Sequence, residues 1–164
     1  MSDTFDVVVS RTFPVSPEQA WRAWSEADLV RQWWGPTGFS CPVADVDLRV
    51  GGRTLVAMRA PAEFGGGDTY GTWSYTEVVP HTRIAYVFNF ADAHGNRLVP
   101  ADLGMPPGIP DDVNHVVTFE NAGDNRTTMT VVEHGYTLKD ARDLSQVGLE
   151  QCVDKMAAIF ATQR

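Results

Sequence analysis

The sequence predicts an α+β fold in which a curved antiparallel sheet is covered on one face by helices, the last of them long. Three observations predict it. Residues 137–164 place Leu149, Cys152, Val153, Met156, Ile159 and Phe160 at three- and four-residue spacings, which is one face of a helix. Between residues 43 and 136 the pattern switches to alternating apolar and polar positions punctuated by Gly and Pro, the signature of short antiparallel strands. The order is strand, two short helices, five or six strands, long helix. That order segregates helices from strands, unlike a chain that alternates them around a parallel sheet. A strongly bent sheet wrapped on one long helix commonly leaves a hollow between the two.

The elements follow in chain order. Phe5, Val7, Val9, Arg11 and Phe13 alternate with Asp6, Val8, Ser10 and Thr12 and read as the first strand. Pro14-Val15-Ser16-Pro17 ends it. Ser16 is placed to cap a helix that has Pro17 at its first position and Glu18 in its first turn. Ala20, Trp21 and Trp24 form that helix's apolar face. A second short helix spans about 26–34 and is stopped by Gly35-Pro36. Strands are expected at 43–50, 53–60, 69–79 and 82–90, with Gly51-Gly52 as a tight hairpin signal. Residues 91–112 break the rhythm with Pro100, Pro106, Pro107 and Pro110. A loop of that length in a compact domain is functional or mobile more often than not. Leu98, Val99, Leu103, Met105 and Ile109 leave two readings open, a lid over something apolar and a surface insertion.

The last hairpin joins strands at 113–120 and 126–136 through the turn 121–125. If it is centred on Gly123, one face carries Val113, His115, Val117 and Phe119 against Thr127, Met129, Val131 and Glu133. That face turns inward, because a one-residue slip would bury the polar set instead. His115 and Glu133 thereby become neighbours on an interior wall. Residues 137–164 supply the long helix. Thr137 with Asp140 three residues on reads as its capping start. Glu150, Asp154, Lys155 and Gln163 lie on its outer face. Gly148 is its oddity, since a mid-helix glycine costs about 1 kcal/mol relative to alanine. It is tolerated where another backbone or a ligand comes close.

The chain has 164 residues and a formal net charge of −8. Its length suits one domain over 1–164, large enough for a core or for a core with a cavity. An acidic chain lacks the basic patch that binds nucleic acid or anionic membranes. No apolar run approaches the length of a membrane span, and Met1-Ser2-Asp3-Thr4 does not open a signal peptide. The expectation is a cytoplasmic protein, monomeric or homodimeric, with no integral membrane association. Cys41 and Cys152 have no CxxC spacing and read as small apolar residues. No His or Cys spacing matches a zinc site, and phosphate-loop, dinucleotide and nucleophile-elbow motifs are missing. Neither a metal nor a cofactor is expected.

Several motifs carry a resemblance. Arg11-Thr-Phe-Pro-Val-Ser-Pro-Glu, Ala20-Trp21-Arg-Ala-Trp24 and Trp33-Trp34-Gly35-Pro36 resemble the opening of proteins related to the C-terminal domain of the activator of Hsp90 ATPase. Asp47-Leu-Arg-Val-Gly51-Gly52-Arg53 is similar to that family's central hairpin, and Gly71-Thr-Trp-Ser-Tyr75 to its next strand. The resemblance spans almost the whole chain. It implies the helix-grip fold of the START and Bet v 1-like superfamily, where sheet and C-terminal helix commonly enclose a cavity for apolar or amphipathic ligands, lipids included. Two departures stand out. The family often has Gly-Trp in the last helix where this chain has Gly148-Leu149, and the 91–112 segment is longer than usual. The matching motifs are structural, and the family has no shared catalytic set to carry over.

Each candidate site has a plain structural alternative. Trp33, Trp34 and Phe39 either line a cavity mouth or plug the small helices onto the sheet. Met58, Trp73, Tyr86, Phe88, Phe90, Val117, Met129, Val131, Cys152 and Met156 form either a cavity wall or a filled core. His115 beside Glu133 either binds a polar ligand group, or works as an acid–base pair, or is a hydrogen-bonded buried histidine with Glu133 at an exposed strand end. Burying Glu133 unpaired would cost several kcal/mol, so it needs a partner or a wet rim. His81 and His94 fall in loops, and His134 points outward. The leading expectation is binding of a small hydrophobic or amphipathic molecule. A chaperone-binding module for an Hsp90-like partner is the second, and a cyclase- or hydrolase-like enzyme using His115 and Glu133 is the third.

Overall fold

The computed structural model describes residues 3–162. Strand β1 (Phe5–Phe13) leads into helices α1 (Pro17–Ser25) and α2 (Ala27–Trp33). Strands β2 (Ser40–Asp45), β3 (Arg53–Arg59), β4 (Asp68–Val79), β5 (Arg83–Ala91), β6 (Arg97–Leu98), β7 (Val113–Gly123) and β8 (Arg126–Tyr136) follow, and helix α3 (Lys139–Ala161) ends the fold. The strands form one antiparallel sheet in the order β1-β8-β7-β5-β4-β3-β2, with β6 pairing with β5 beyond the end of β7. The sheet curls into a half-barrel around α3. This is the helix-grip architecture.

Local chemistry explains the helical starts and stops. Ser16 Oγ accepts from the Gln19 amide while Gln19 Oε1 accepts from the Ser16 amide, a reciprocal capping box with Pro17 at the first helical position. Gly35 takes φ 104°, which only glycine adopts without strain, and turns the chain away after α2. α3 starts later than its pattern suggested. Leu138 stands at its N-cap with no side-chain hydrogen bond, and the Thr137 amide donates to Gly108 O instead. At 23 residues α3 is about 34 Å long, at about 1.5 Å per residue. Its buried stripe is the expected one: Leu149, Cys152, Val153, Met156, Ile159 and Phe160. Glu150 and Asp154 are exposed. Lys155 is half-buried and donates to Phe39 O, and Gln163 lies outside the described residues.

Three other boundaries differ from expectation. The strand expected over 43–50 ends at Asp45, and residues 46–50 leave the sheet before Gly51 and Gly52 bond to Tyr75 of β4 through their backbones. Asp45 pairs with Leu55, so the connection is a long one rather than a two-residue turn at Gly51-Gly52. Gly52 is required there for closeness: a Cβ would lie 2.4 Å from Asp47 O. The last hairpin turns at Asp124 and Asn125, both with positive φ (52° and 56°), as in the two-residue turn that matches strand twist. The register is thereby displaced by two residues from one centred on Gly123, which preserves the inward face. His115 then sits directly opposite Glu133, Val117 opposite Val131 and Phe119 opposite Met129. The 91–112 segment holds β6 and a 3-10 turn at Pro100–Leu103. Its end packs on the start of α3: a Cβ on Gly108 would lie 2.8 Å from both Leu138 Cβ and Ala141 Cβ. At that end the segment is in contact with the helix.

Candidate functional site: a half-filled grip

The two halves of the grip are packed differently. Toward the C-terminal half of α3 the interior is solid. Trp73, Ile84, Val117, Met129, Val131, Met156 and Phe160 are completely or almost completely buried, and Phe13 meets Phe160 edge-on at 4.7 Å between ring centroids. Trp24, Trp33, Trp73 and Tyr86 continue this filling as an array of aromatic contacts. Toward the N-terminal half of α3 the sheet and helix separate. A cavity of about 200 Å³ lies there, lined by Trp34, Gly35, Pro36, Met58, Phe88 and Phe90 on one side. His115, Glu133 and Tyr136 on the sheet and Ser145, Gly148, Leu149 and Cys152 on α3 complete it.

The tryptophan pair is split between its two readings. Trp33 donates from its indole to Ala23 O at 2.7 Å and ties α2 to α1, whereas Trp34 turns to the cavity. Phe39 does not line the cavity. The predicted wall is divided too. Met58, Phe88, Phe90 and Cys152 border the cavity, while Trp73, Tyr86, Val117, Met129, Val131 and Met156 belong to the filled half. Alternation along β5 places Ile84, Tyr86, Phe88 and Phe90 on one face, and only position along the strand separates core from cavity. The first two are buried and the last two half-exposed.

His115 and Glu133 do share the interior wall, with side chains only 8% and 10% exposed. His115 Nδ1 lies 3.0 Å from Val113 O, so that nitrogen carries a proton and donates. Nε2 lies 3.3 Å from Glu133 Oε2. Two lone pairs would repel at that distance, so a proton sits between histidine and carboxyl. The Tyr136 hydroxyl donates to Glu133 Oε1 at 2.6 Å. The imidazole also stacks on Tyr86, with centroids 4.7 Å apart and planes 16° from parallel. Burial first, and then the neighbouring Glu133 charge, push both the Tyr86 and Tyr136 hydroxyls far above the usual phenol range, so both keep their protons. Ser145 is the hydroxyl beside Tyr136 on the helix side. Burial raises the Cys152 thiol to about 11, leaving it neutral.

Tyr136 is the residue that strand periodicity hides. Positions 133 and 136 face opposite ways in a regular strand. Gly135, at φ 96°, and a register shift between the β1 pairings of Glu133 and Tyr136 turn Tyr136 back inward. The signal available was a glycine near a strand end, which marks a bulge. Ser145, Gly148 and Leu149 follow from helical spacing counted back from Cys152. Gly148 faces empty space, since a Cβ there meets nothing within 4 Å. The remaining histidines lie away from the site. His81 packs edge-on to Trp21, His94 is exposed, and His134 pairs with Asp6 at 3.1 Å. Both cysteines are free. No described helix is long and apolar enough to cross a membrane, and no group of three or more His, Cys, Asp or Glu among the described residues is placed to hold a metal.

The same architecture recurs among solved structures. A protein from Chromobacterium violaceum is 26% identical, with a TM-score of 0.76 over 94% of this chain and 96% of its own. The AHSA1 protein from Silicibacter pomeroyi is 19% identical, with a TM-score of 0.77 over 98% of this chain and all of its own. A protein from the dynemicin biosynthetic locus shares the fold at 19% identity and a TM-score of 0.67, with 97% of this chain covering 48% of that one. A comparison with curated proteins returned no match. The family profile described as activator of Hsp90 ATPase homolog 1-like protein matches residues 14–161, from the residue after β1 to the last residue of α3. With that match over all of the grip but its first strand, the chain belongs to the activator of Hsp90 ATPase homolog 1-like family.

Proposed function

We propose that this protein binds a small, largely apolar molecule in the cavity between the sheet and the N-terminal half of α3. The observation that carries the reading is the unequal filling of the grip. The chain has bulky side chains enough to close one half and leaves about 200 Å³ open in the other, beside a single buried polar cluster. An apolar pocket with a few convergent polar groups is the usual form of a small-molecule site. The volume lies below the several hundred Å³ of drug-sized sites, which fits a molecule of one or two rings. Trp34, Phe88 and Phe90 supply flat contact area, and Met58 adapts its shape.

The acid–base reading of His115 is less favoured. Both ring nitrogens are engaged within the protein, one with Val113 O and one with Glu133, so the imidazole braces the carboxylate rather than facing the cavity as a free base. An Hsp90-like partner rests on the family match alone, and mixing with purified Hsp90 followed by size-exclusion chromatography tests it. Ligand binding is tested by native mass spectrometry after gentle purification, together with thermal shift against small aromatic compounds. A bound mass or a rise in Tm that disappears when the cavity is filled by Gly148→Trp supports the reading. Equal shifts in both proteins overturn it.

A further inference from the structure

The polar end of the cavity selects more narrowly than its apolar wall. The geometry points to an occupant whose polar group donates a hydrogen bond, a hydroxyl or an amine on a flat apolar body, and to exclusion of carboxylates. This inference rests on the binding reading above and refines it.

The argument is a count of donors and acceptors among the four polar lining residues His115, Glu133, Tyr136 and Ser145. His115 Nδ1–H is committed to Val113 O. The proton between His115 Nε2 and Glu133 Oε2 is committed to that contact, whichever of the two atoms it is bonded to. The Tyr136 O–H is committed to Glu133 Oε1. Among these four residues the one donor left is the rotating hydroxyl of Ser145, which stands beside Tyr136. Acceptor capacity is in surplus. Each carboxyl oxygen has a second lone-pair direction, and the tyrosine and serine oxygens accept as well. A ligand hydroxyl or amine completes these acceptors.

A ligand carboxylate finds one free donor among these residues, the Ser145 hydroxyl, and no net positive charge, since the shared proton leaves the His115–Glu133 pair neutral as a whole. No lysine or arginine lines the cavity to offset the ligand's charge. Lys155, the cation on the adjoining stretch of α3, is turned away and donates to Phe39 O. The chain's net charge of −8 repels an anion. The pocket thus lacks the cation that would neutralise a bound carboxylate.

Equilibrium dialysis with three probes of one skeleton tests this at neutral pH: 2-naphthol, 2-methoxynaphthalene and 2-naphthoate. The first is a neutral donor, the second is neutral and only accepts, and the third is an anion. The expected order is 2-naphthol tightest, with 2-methoxynaphthalene about ten- to a hundredfold weaker, the range of one hydrogen bond to a charged group. 2-Naphthoate is expected to be weakest. In Glu133→Gln the side chain gains an amide donor, so the preference for 2-naphthol over 2-naphthoate shrinks. Binding in which 2-naphthoate equals or exceeds 2-naphthol in the wild-type protein overturns this inference and leaves the cavity reading standing. Binding of none of the three overturns both. The wild-type comparison decides the matter even if Glu133→Gln fails to fold.

Discussion

Gly148 offers a direct measure of how empty the grip is. It sits mid-helix in α3, and a Cβ built on it meets no atom within 4 Å. Gly148→Ala removes a helix-interior glycine, worth about 1 kcal/mol in favour of the variant. The added methyl enters the cavity, so no overpacking offsets that gain. For a chain of this size about 1 kcal/mol raises Tm by roughly 2–4 °C. Gly148→Trp carries the same reasoning to its limit. The indole fills open space between Leu149 and the wall of Met58, Phe88 and Phe90, so the protein stays folded while the cavity closes. Scanning calorimetry with urea unfolding reads the first variant, and dialysis with 2-naphthol reads the second. Loss of 1 kcal/mol or more in Gly148→Ala would refute the reasoning, because it would mean that the sheet closes on this position.

Three further outcomes are expected. His115→Leu leaves Glu133 with Tyr136 alone and costs about 2–4 kcal/mol in urea unfolding; the double variant with Glu133→Leu recovers most of it, because breaking a buried pair is worse than replacing both members. Cys152, raised to about 11 by burial, is alkylated slowly by iodoacetamide at pH 8, with a rate that climbs toward pH 11 and falls when 2-naphthol is bound; peptide mapping by mass spectrometry follows it, and rapid labelling at neutral pH would contradict the buried environment. Asp68 beside Arg59, Asp112 beside Asn89 and Arg97, and Asp143 beside Lys139 are held below the ordinary carboxylate range when folded. A depressed folded value stabilises the protein above the unfolded value and loses that contribution as pH falls through the folded one, so Tm should drop below about pH 4, the usual carboxylate value; a Tm unchanged between pH 5 and pH 3 would count against these pairings.

Much of the architecture was readable from particular residues because it is local. Ser16-Pro17 caps α1, Gly35-Pro36 ends α2, and the spacing from Leu149 to Phe160 defines the buried stripe of α3. Alternation put His115 and Glu133 on one wall even though the register was displaced by two residues, since a two-residue shift keeps every side chain on its face. The features that were not readable depend on distant chain. Thr137 has a capping residue's chemistry, yet its amide is taken by Gly108. Residues 46–50 alternate like a strand but have no partner once Asp45 has paired with Leu55. Tyr136 enters the site only through the bulge at Gly135.

The sequence alone determined most of the secondary elements, their order and, where strand or helix is regular, which face turns inward, because periodicity and end-capping are short-range properties of the chain. Only the tertiary structure decided which inward residues meet side chains and which meet space. Tyr86 and Phe88 share one face of β5, yet one is packed in the core and the other borders a cavity. That difference comes from where a curved sheet diverges from a straight helix, a distance that no local pattern encodes.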